Sequence, residues 1–263
     1  TITFTGVTIA DGMYFTLATN YTQPAPGGVS NNLAIWLKAN EGTGSVDDGD
    51  PVTTWNDQSG NSNNAIQNGG SDLPNYTFDK HNFNPSVYFP NGDNGYFDLN
   101  LDDIKNSDYN LITILERDNT NTFNYVLGTV SSSGNQGLHY GFRSNTQATL
   151  AQYGNDIDVN IGGYNNPQAI TLLHGELDQS SGKTITEIRD NSTSINSHGN
   201  TAPLTGTGSG QLGRGFNDQG FEGHVSEVIA YSSTLTNAEK DKIYTYLAIK
   251  YGFTLDNSGG GIA

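Results

Sequence analysis

Cysteine is absent, basic residues are few, and no apolar run is long. Without disulfides a small secreted domain struggles, but 263 residues suffice to bury a sizeable core without them. The missing cysteine therefore leaves the cellular compartment open. Lys and Arg total 11 against 27 Asp and Glu, a formal net charge of -16. A field of that sign repels nucleic acid and anionic membrane surfaces. It also opposes sulfated or uronic polysaccharides unless calcium or a local arginine cluster intervenes. No stretch approaches the roughly 20 apolar residues that span a bilayer. Hydrophobic residues are only 33% of the chain, yet charged residues are only 14%, too few for disorder driven by charge.

What fills the chain instead is Asn, Asp, Gly, Ser and Thr, with 14 Tyr, 11 Phe and 2 Trp to thicken the core. Gly and Asn supply positive φ, and Asp and Ser bond their own backbone. That is the make-up of a β-sandwich with polar outer faces and many turns. Excess carboxylates and side-chain amides are also the hard oxygen ligands that Ca²⁺ prefers.

Residues 1–19 alternate like strands around a turn at Asp11-Gly12, and Asn20 to Ser30 is rich in Pro and Gly. Residues 1–26 are read as the end of a preceding β domain, or an edge hairpin, plus a linker. The main domain then covers 27–255, and 256–263, DNSGGGIA, is a flexible tail. The start at Thr1 fits a piece of a larger multidomain chain. Leu33–Leu37 is a nearly continuous apolar run, suited to a strand covered on both sides. Short strand candidates follow at Val52–Trp55, Ser86–Phe89, Tyr96–Leu99, Leu111–Leu115, Tyr125–Thr129, Leu138–Arg143, Thr149–Tyr153, Ala169–Leu173, Ile185–Arg189, Gly210–Leu212 and His224–Tyr231. Only one helix is signalled. Thr236-Asn-Ala-Glu239 is a capping box, Gly252 a left-handed stop, and Ile243, Tyr246, Leu247 and Tyr251 share a face. Trp36, Trp55 and Phe89 are the expected core anchors.

Three segments together resemble a known family. Trp55-Asn-Asp57-Gln-Ser59-Gly60-Asn61-Ser-Asn63-Asn64-Ala65 is similar to a turn near the start of laminin-G-like, concanavalin A-like jelly rolls. Tyr88-Phe89 with Asn91-Gly92-Asp93-Asn94-Gly95-Tyr96-Phe97 resembles the family's hairpin. Gly220 to Tyr231, followed by Leu235-Thr236 and the helix, resembles its closing strand. The ending Tyr246 to Leu255 is similar to that of such domains in secreted adhesins of Bacteroidetes. The resemblance spans about residues 30–255. It implies an all-β, concanavalin A-like jelly-roll sandwich with one C-terminal α-helix, placed outside the cell. Members include lectins, adhesion domains, carbohydrate-binding modules and some glycosidases. The same residues have a local reading as well: Asp57 and Ser59 can bond a tight turn, and Gly60 can adopt φ > 0.

Three chemistries have candidate residues in the chain. Retaining glycosidases on this fold carry two Glu from one strand with an intervening Asp. The nearest match, Glu176-Leu177-Asp178-Gln179-Ser180, lacks the second Glu. The five His show no metal spacing, and a lyase pairing of His139-Tyr140 with Arg143 fails because adjacent strand residues face opposite ways. Calcium ligands are expected at Asp57, Ser59, Asn61 and Asp93, with Asp47-Asp48-Gly49-Asp50 and Asn155-Asp156-Ile157-Asp158 as further oxygen clusters. A glycan surface is expected where aromatic faces adjoin Arg and amides: Tyr140, Arg143, Tyr153, Tyr164, Arg214, Phe216 and Asp218. The sequence therefore predicts a non-catalytic, lectin-like module for a neutral or calcium-bridged glycan. The alternatives are a protein-interaction or spacer domain of an adhesin and, third, a glycoside-active enzyme.

Overall fold

The computed structural model describes residues 24–255 apart from 45–46, 68–71, 91–94, 119–122, 163–167, 191, 207–209 and 216–218. In chain order the strands are β1 Leu33–Lys38, β2 Thr54–Trp55, β3 Ala65–Gln67, β4 Asn75–His81, β5 Asn84–Phe89, β6 Phe97–Asp98, β7 Tyr109–Arg117 and β8 Asn124–Thr129. They continue with β9 Leu138–Ser144, β10 Gln147–Gln152, β11 Ile157–Asn160, β12 Thr171–Asp178, β13 Gly182–Arg189, β14 Ser192–His198, β15 Gly210–Leu212 and β16 Gly223–Tyr231. The α-helix, α1, is Asn237–Tyr251.

The strands form two antiparallel sheets. The first runs β14-β13-β12-β7-β16-β5-β4, with β1 also on β16; the second runs β11-β10-β9-β8-β15-β6-β3-β2. Side chains alternate across each strand, so one parity of each sheet faces the shared core. Leu111, Leu115, Leu173, Val225 and Ala230 from the first sheet meet Tyr140, Phe142, Leu150, Leu127 and Phe97 from the second. The fold is thus a β-sandwich with one C-terminal helix, as the composition and strand spacing predicted.

The helix covers the outer face of the first sheet. Its cap forms as the sequence predicts: the Thr236 side chain accepts from the Glu239 N–H, Glu239 Oε2 accepts from the Thr236 N–H at 2.9 Å, and Gly252 sits at φ 74°. Ile243, Tyr244, Leu247 and Tyr251 pack on Ile112, Ile114, Leu172, Ile229 and Trp36. Tyr244 occupies the inner stripe expected of Tyr246, which lies at its edge and meets Trp36 edge-on at 6.4 Å. Each such burial contributes about 2 kcal/mol. Trp55 and Phe89 anchor the inter-sheet core, whereas Trp36 belongs to the layer beneath the helix.

Two readings shift. Ala25 and Pro26, assigned to a linker, are buried beside α1, so the packed body includes them. The expectations for residues 1–23 and for the 256–263 tail lie outside the described residues. Strands β3, β4, β11 and β14 had no sequence signal recognised. β14 is the extreme strand of its sheet and reads Ser-Thr-Ser-Ile-Asn-Ser-His, largely exposed, so it lacks the apolar alternation that marks a half-buried strand.

Candidate functional site

Alternation along β9 decides which expected binding residues reach solvent. Leu138, Tyr140 and Phe142 point into the core and are fully buried. The Tyr140 hydroxyl donates to the Leu173 carbonyl at 2.5 Å, across the sandwich on β12. Tyr140 is therefore a core side chain, and its expected place in a glycan platform is corrected. The opposite parity, His139, Gly141 and Arg143, lies on the outer face of the second sheet.

That outer face carries an ordered set of rings and charges. Tyr125 is the partner of Gly141 on the neighbouring β8. Its ring lies 5.8 Å from that of Phe123 and 5.2 Å from that of His139. Phe123 is 42% exposed, whereas Tyr125 and His139 are buried. Arg143 closes the row: Nε donates to Asp158 Oδ1 at 2.6 Å and Nη2 to Asp156 Oδ2 at 2.9 Å. His139 Nδ1 lies 2.9 Å from the Gly137 carbonyl, which can only accept, so Nδ1 carries the proton. Nε2 is then free to accept from Arg143 Nη2 at 3.1 Å. Burial first, and then the Arg143 charge, push the His139 pKa down, consistent with this neutral tautomer. Burial likewise pushes Tyr125 up to about 12.

Arg214 joins the same face from the other side. A Cβ added to Gly215 would sit 2.8 Å from Tyr125 Cβ, so the backbone after Arg214 lies against that ring. The Arg214 guanidinium stacks 3.7 Å over the Tyr96 ring, and its Nε donates to Gln211 Oε1 at 3.2 Å. Tyr153, 39% exposed, stands at the end of β10 beside Gly137, whose carbonyl holds His139. The structure thus brings Arg143, Tyr153 and Arg214 to one region, around Phe123, Tyr125, His139 and Tyr96. Those four were not singled out as binding residues. Alternation alone could not have found them, because Leu127 shares the parity of Tyr125 yet lies in the core, and the register shift between the two turns Tyr125 outward. Tyr164, Phe216 and Asp218 lie outside the described residues.

The Asp57 turn is organised by N–H donors. Asp57 accepts from the backbone N–H groups of Trp36 at 2.8 Å, Ser59 at 2.9 Å and Asn63 at 3.0 Å, and from the Ser59 hydroxyl at 2.6 Å. Asn61 Nδ2 donates to the carbonyl of Leu33 at 2.7 Å, and Ser59 Oγ lies 3.1 Å from that of Ala34. Gly60 takes φ 95°, as the tight turn requires. These bonds make Asp57, Ser59 and Asn61 the residues that pin the turn to β1, and Asp93 lies outside the described residues. Of the other oxygen clusters, Asp48 accepts from the Phe78 N–H at 3.0 Å, and Asp156 and Asp158 hold Arg143.

The near-match to a glycosidase motif is also engaged. Glu176 pairs with Lys240 under α1, Asp178 accepts from Ser180 and Ser181 in a tight turn, and Glu187 pairs with Arg189. These carboxylates do not face one another across a cleft.

No known protein-family model matches the sequence, and no curated protein resembles it in sequence. Solved structures share its fold. Domain 4 of AbnA, a GH43 extracellular arabinanase from Geobacillus stearothermophilus solved with arabinotriose, aligns with TM-score 0.55 at 15% identity, over 79% of this chain and 96% of that one. The binding domain of Paraclostridial Mosquitocidal Protein 1 aligns with TM-score 0.54 at 12% identity, over 88% of this chain and 57% of that one. A Trypanosoma rangeli sialidase solved with sialic acid aligns with TM-score 0.55 at 14% identity, over 85% of this chain and 34% of that one. The chain thus spans little more than half the mosquitocidal binding domain and a third of the sialidase. At such identities the likeness is one of fold alone, a β-sandwich shared with each of these structures. No helix among the described residues is long and apolar enough to cross a membrane.

Proposed function

We propose that this chain is a non-catalytic carbohydrate-binding module of an extracellular protein. The observation that carries the reading is the outer-face row Phe123–Tyr125–His139–Arg143, with Asp156 and Asp158 beside the guanidinium. Sugars present C–H faces to aromatic rings and hydroxyls to fixed polar groups; here the exposed Phe123 ring offers the first, and Arg143 with its carboxylates the second. Arg143 is neutralised by its two carboxylates, and the whole chain is strongly acidic. Both features favour a neutral glycan over an anionic one. The fold shared with a domain solved with arabinotriose supports the same reading.

The test is affinity electrophoresis of the intact chain against a panel of neutral and acidic polysaccharides, with calcium and again with EDTA. Retardation by at least one neutral polymer in both buffers is expected. Phe123→Ala and Arg143→Ala should each reduce it about tenfold while the far-UV spectrum is kept, the loss of one stacking or charge-assisted contact. Binding lost only in EDTA would transfer the reading to a calcium-bridged glycan. No retardation by any polymer would overturn it in favour of a protein-binding or spacer domain.

A further inference from the structure

A second constellation lies on the outer face of the first sheet. Glu116, Asp118 and His224 each present one ligand atom within 4.8 Å of the others. Register explains the convergence. His224 on β16 is the direct cross-strand partner of Glu116 on β7, and Asp118 follows two residues later on the same side. Beyond β7, the Asp118 N–H is held by the Glu222 carbonyl at 3.0 Å. On the other side of β16, Tyr88 opposes His224, with ring centroids 4.6 Å apart.

Each of these groups is oriented from behind. His224 Nδ1 lies 2.9 Å from Ser86 Oγ, which leaves Nε2 as the ring nitrogen for a ligand. Glu116 Oε2 is held by His81 Nε2 at 3.1 Å, and His81 Nδ1 by Ser226 Oγ at 2.7 Å. Asp118 is hydrogen-bonded to Tyr88. Metal sites depend on such outer partners to fix ring and carboxylate orientation.

Lys80 Nζ lies 2.7 Å from Glu116 Oε1. We propose that Glu116, Asp118 and His224 bind one borderline divalent transition-metal ion of the Zn²⁺ class, which displaces Lys80 from Glu116. One imidazole and two carboxylates suit zinc, whereas calcium takes six to eight oxygens and no imidazole nitrogen. Three protein ligands leave further positions to water on the side of the exposed Asp118. The Lys80 stem is partly exposed and can rotate into solvent.

The test is isothermal titration of the full, metal-stripped chain with zinc chloride, repeated with calcium chloride. One saturable equivalent of zinc is expected, with calcium unable to compete. His224→Gln and Asp118→Asn should each weaken zinc binding by more than about tenfold, and Lys80→Met should tighten it. Cobalt in place of zinc should give a visible d–d band that His224→Gln abolishes. A wild-type titration without one saturable equivalent would overturn the proposal, as would wild-type affinity in His224→Gln. Should that variant fail to fold, Asp118→Asn, at an exposed position, decides alone: unchanged zinc affinity there sinks the idea.

Discussion

The Trp36 indole nitrogen donates to Glu227 Oε1 at 2.6 Å, tying β1 to β16 beneath the helix. A register shift between Val225 and Glu227 lets Ser226 and Glu227 both serve the helix side of the strand. Glu227 is fully buried and also accepts from Tyr251 Oη at 2.7 Å, Tyr246 Oη at 3.0 Å and Lys250 Nζ at 2.8 Å. One carboxylate thus gathers four donors, three of them from α1.

Replacing it should loosen the helix from the sheet. Glu227→Ala leaves the indole N–H, two phenols and a partly buried ammonium without their acceptor. A loss of about 3 kcal/mol is expected, read from the urea midpoint of the intact chain. Glu227→Gln keeps an acceptor oxygen and should lose clearly less. Equal losses in the two variants would mean that packing volume, not acceptance, holds the helix.

The Asp57 turn makes a prediction that separates architecture from metal binding. Asp57→Ala removes the acceptor of the Trp36, Ser59 and Asn63 N–H groups together. A stability loss of about 2 kcal/mol should follow, the same in calcium as in EDTA. A loss seen only in calcium would make the turn a cation site.

His174 supplies a pH dependence with a defined sign. Its Nε2 lies 2.7 Å from Asn110 Oδ1, and its Nδ1 meets Tyr244 Oη at 2.5 Å under the helix. Asn110 donates through Nδ2 to the Ser233 carbonyl, so Oδ1 accepts and Nε2 carries a proton. Burial, and then the Lys240 charge, push its pKa from 6.5 down to about 3. Between those values the unfolded chain binds a proton that the folded chain refuses. The stability from the neutral ring is therefore complete above pH 6.5 and declines as pH falls, by about 1.4 kcal/mol per unit. Urea midpoints at pH 7 and pH 5 should differ accordingly, and His174→Asn should flatten the slope. An equally steep profile in that variant would assign the effect to other groups, His139 first.

The elements legible in the sequence were those written in neighbouring residues. The helix was bounded by Thr236, Glu239 and Gly252 because caps act over three or four residues. The turn at Asp57-Gln-Ser59-Gly60 was readable for the same reason, since its bonds to Ser59 and Asn63 are local. Its bond to Trp36, which anchors the turn to β1, was not readable. β14 escaped notice because exposed residues carry no apolar alternation to detect.

The candidate site shows where local reading ends. Alternation along β9 separated Tyr140 and Phe142 from His139 and Arg143, but period two is silent about which parity meets the core. The opposite sheet settled that, by placing Leu173 and Gly175 against the Tyr140 ring and so turning Arg143 outward. Only strand pairing could bring Phe123 and Tyr125 beside His139, Arg214 over Tyr96, or Glu116 opposite His224. By itself the sequence determined a sandwich of β-strands closed by one capped helix, because turn chemistry and periodicity are properties of short segments. The tertiary structure alone decided which side chains share a surface, because register between distant strands is set by how the two faces pack.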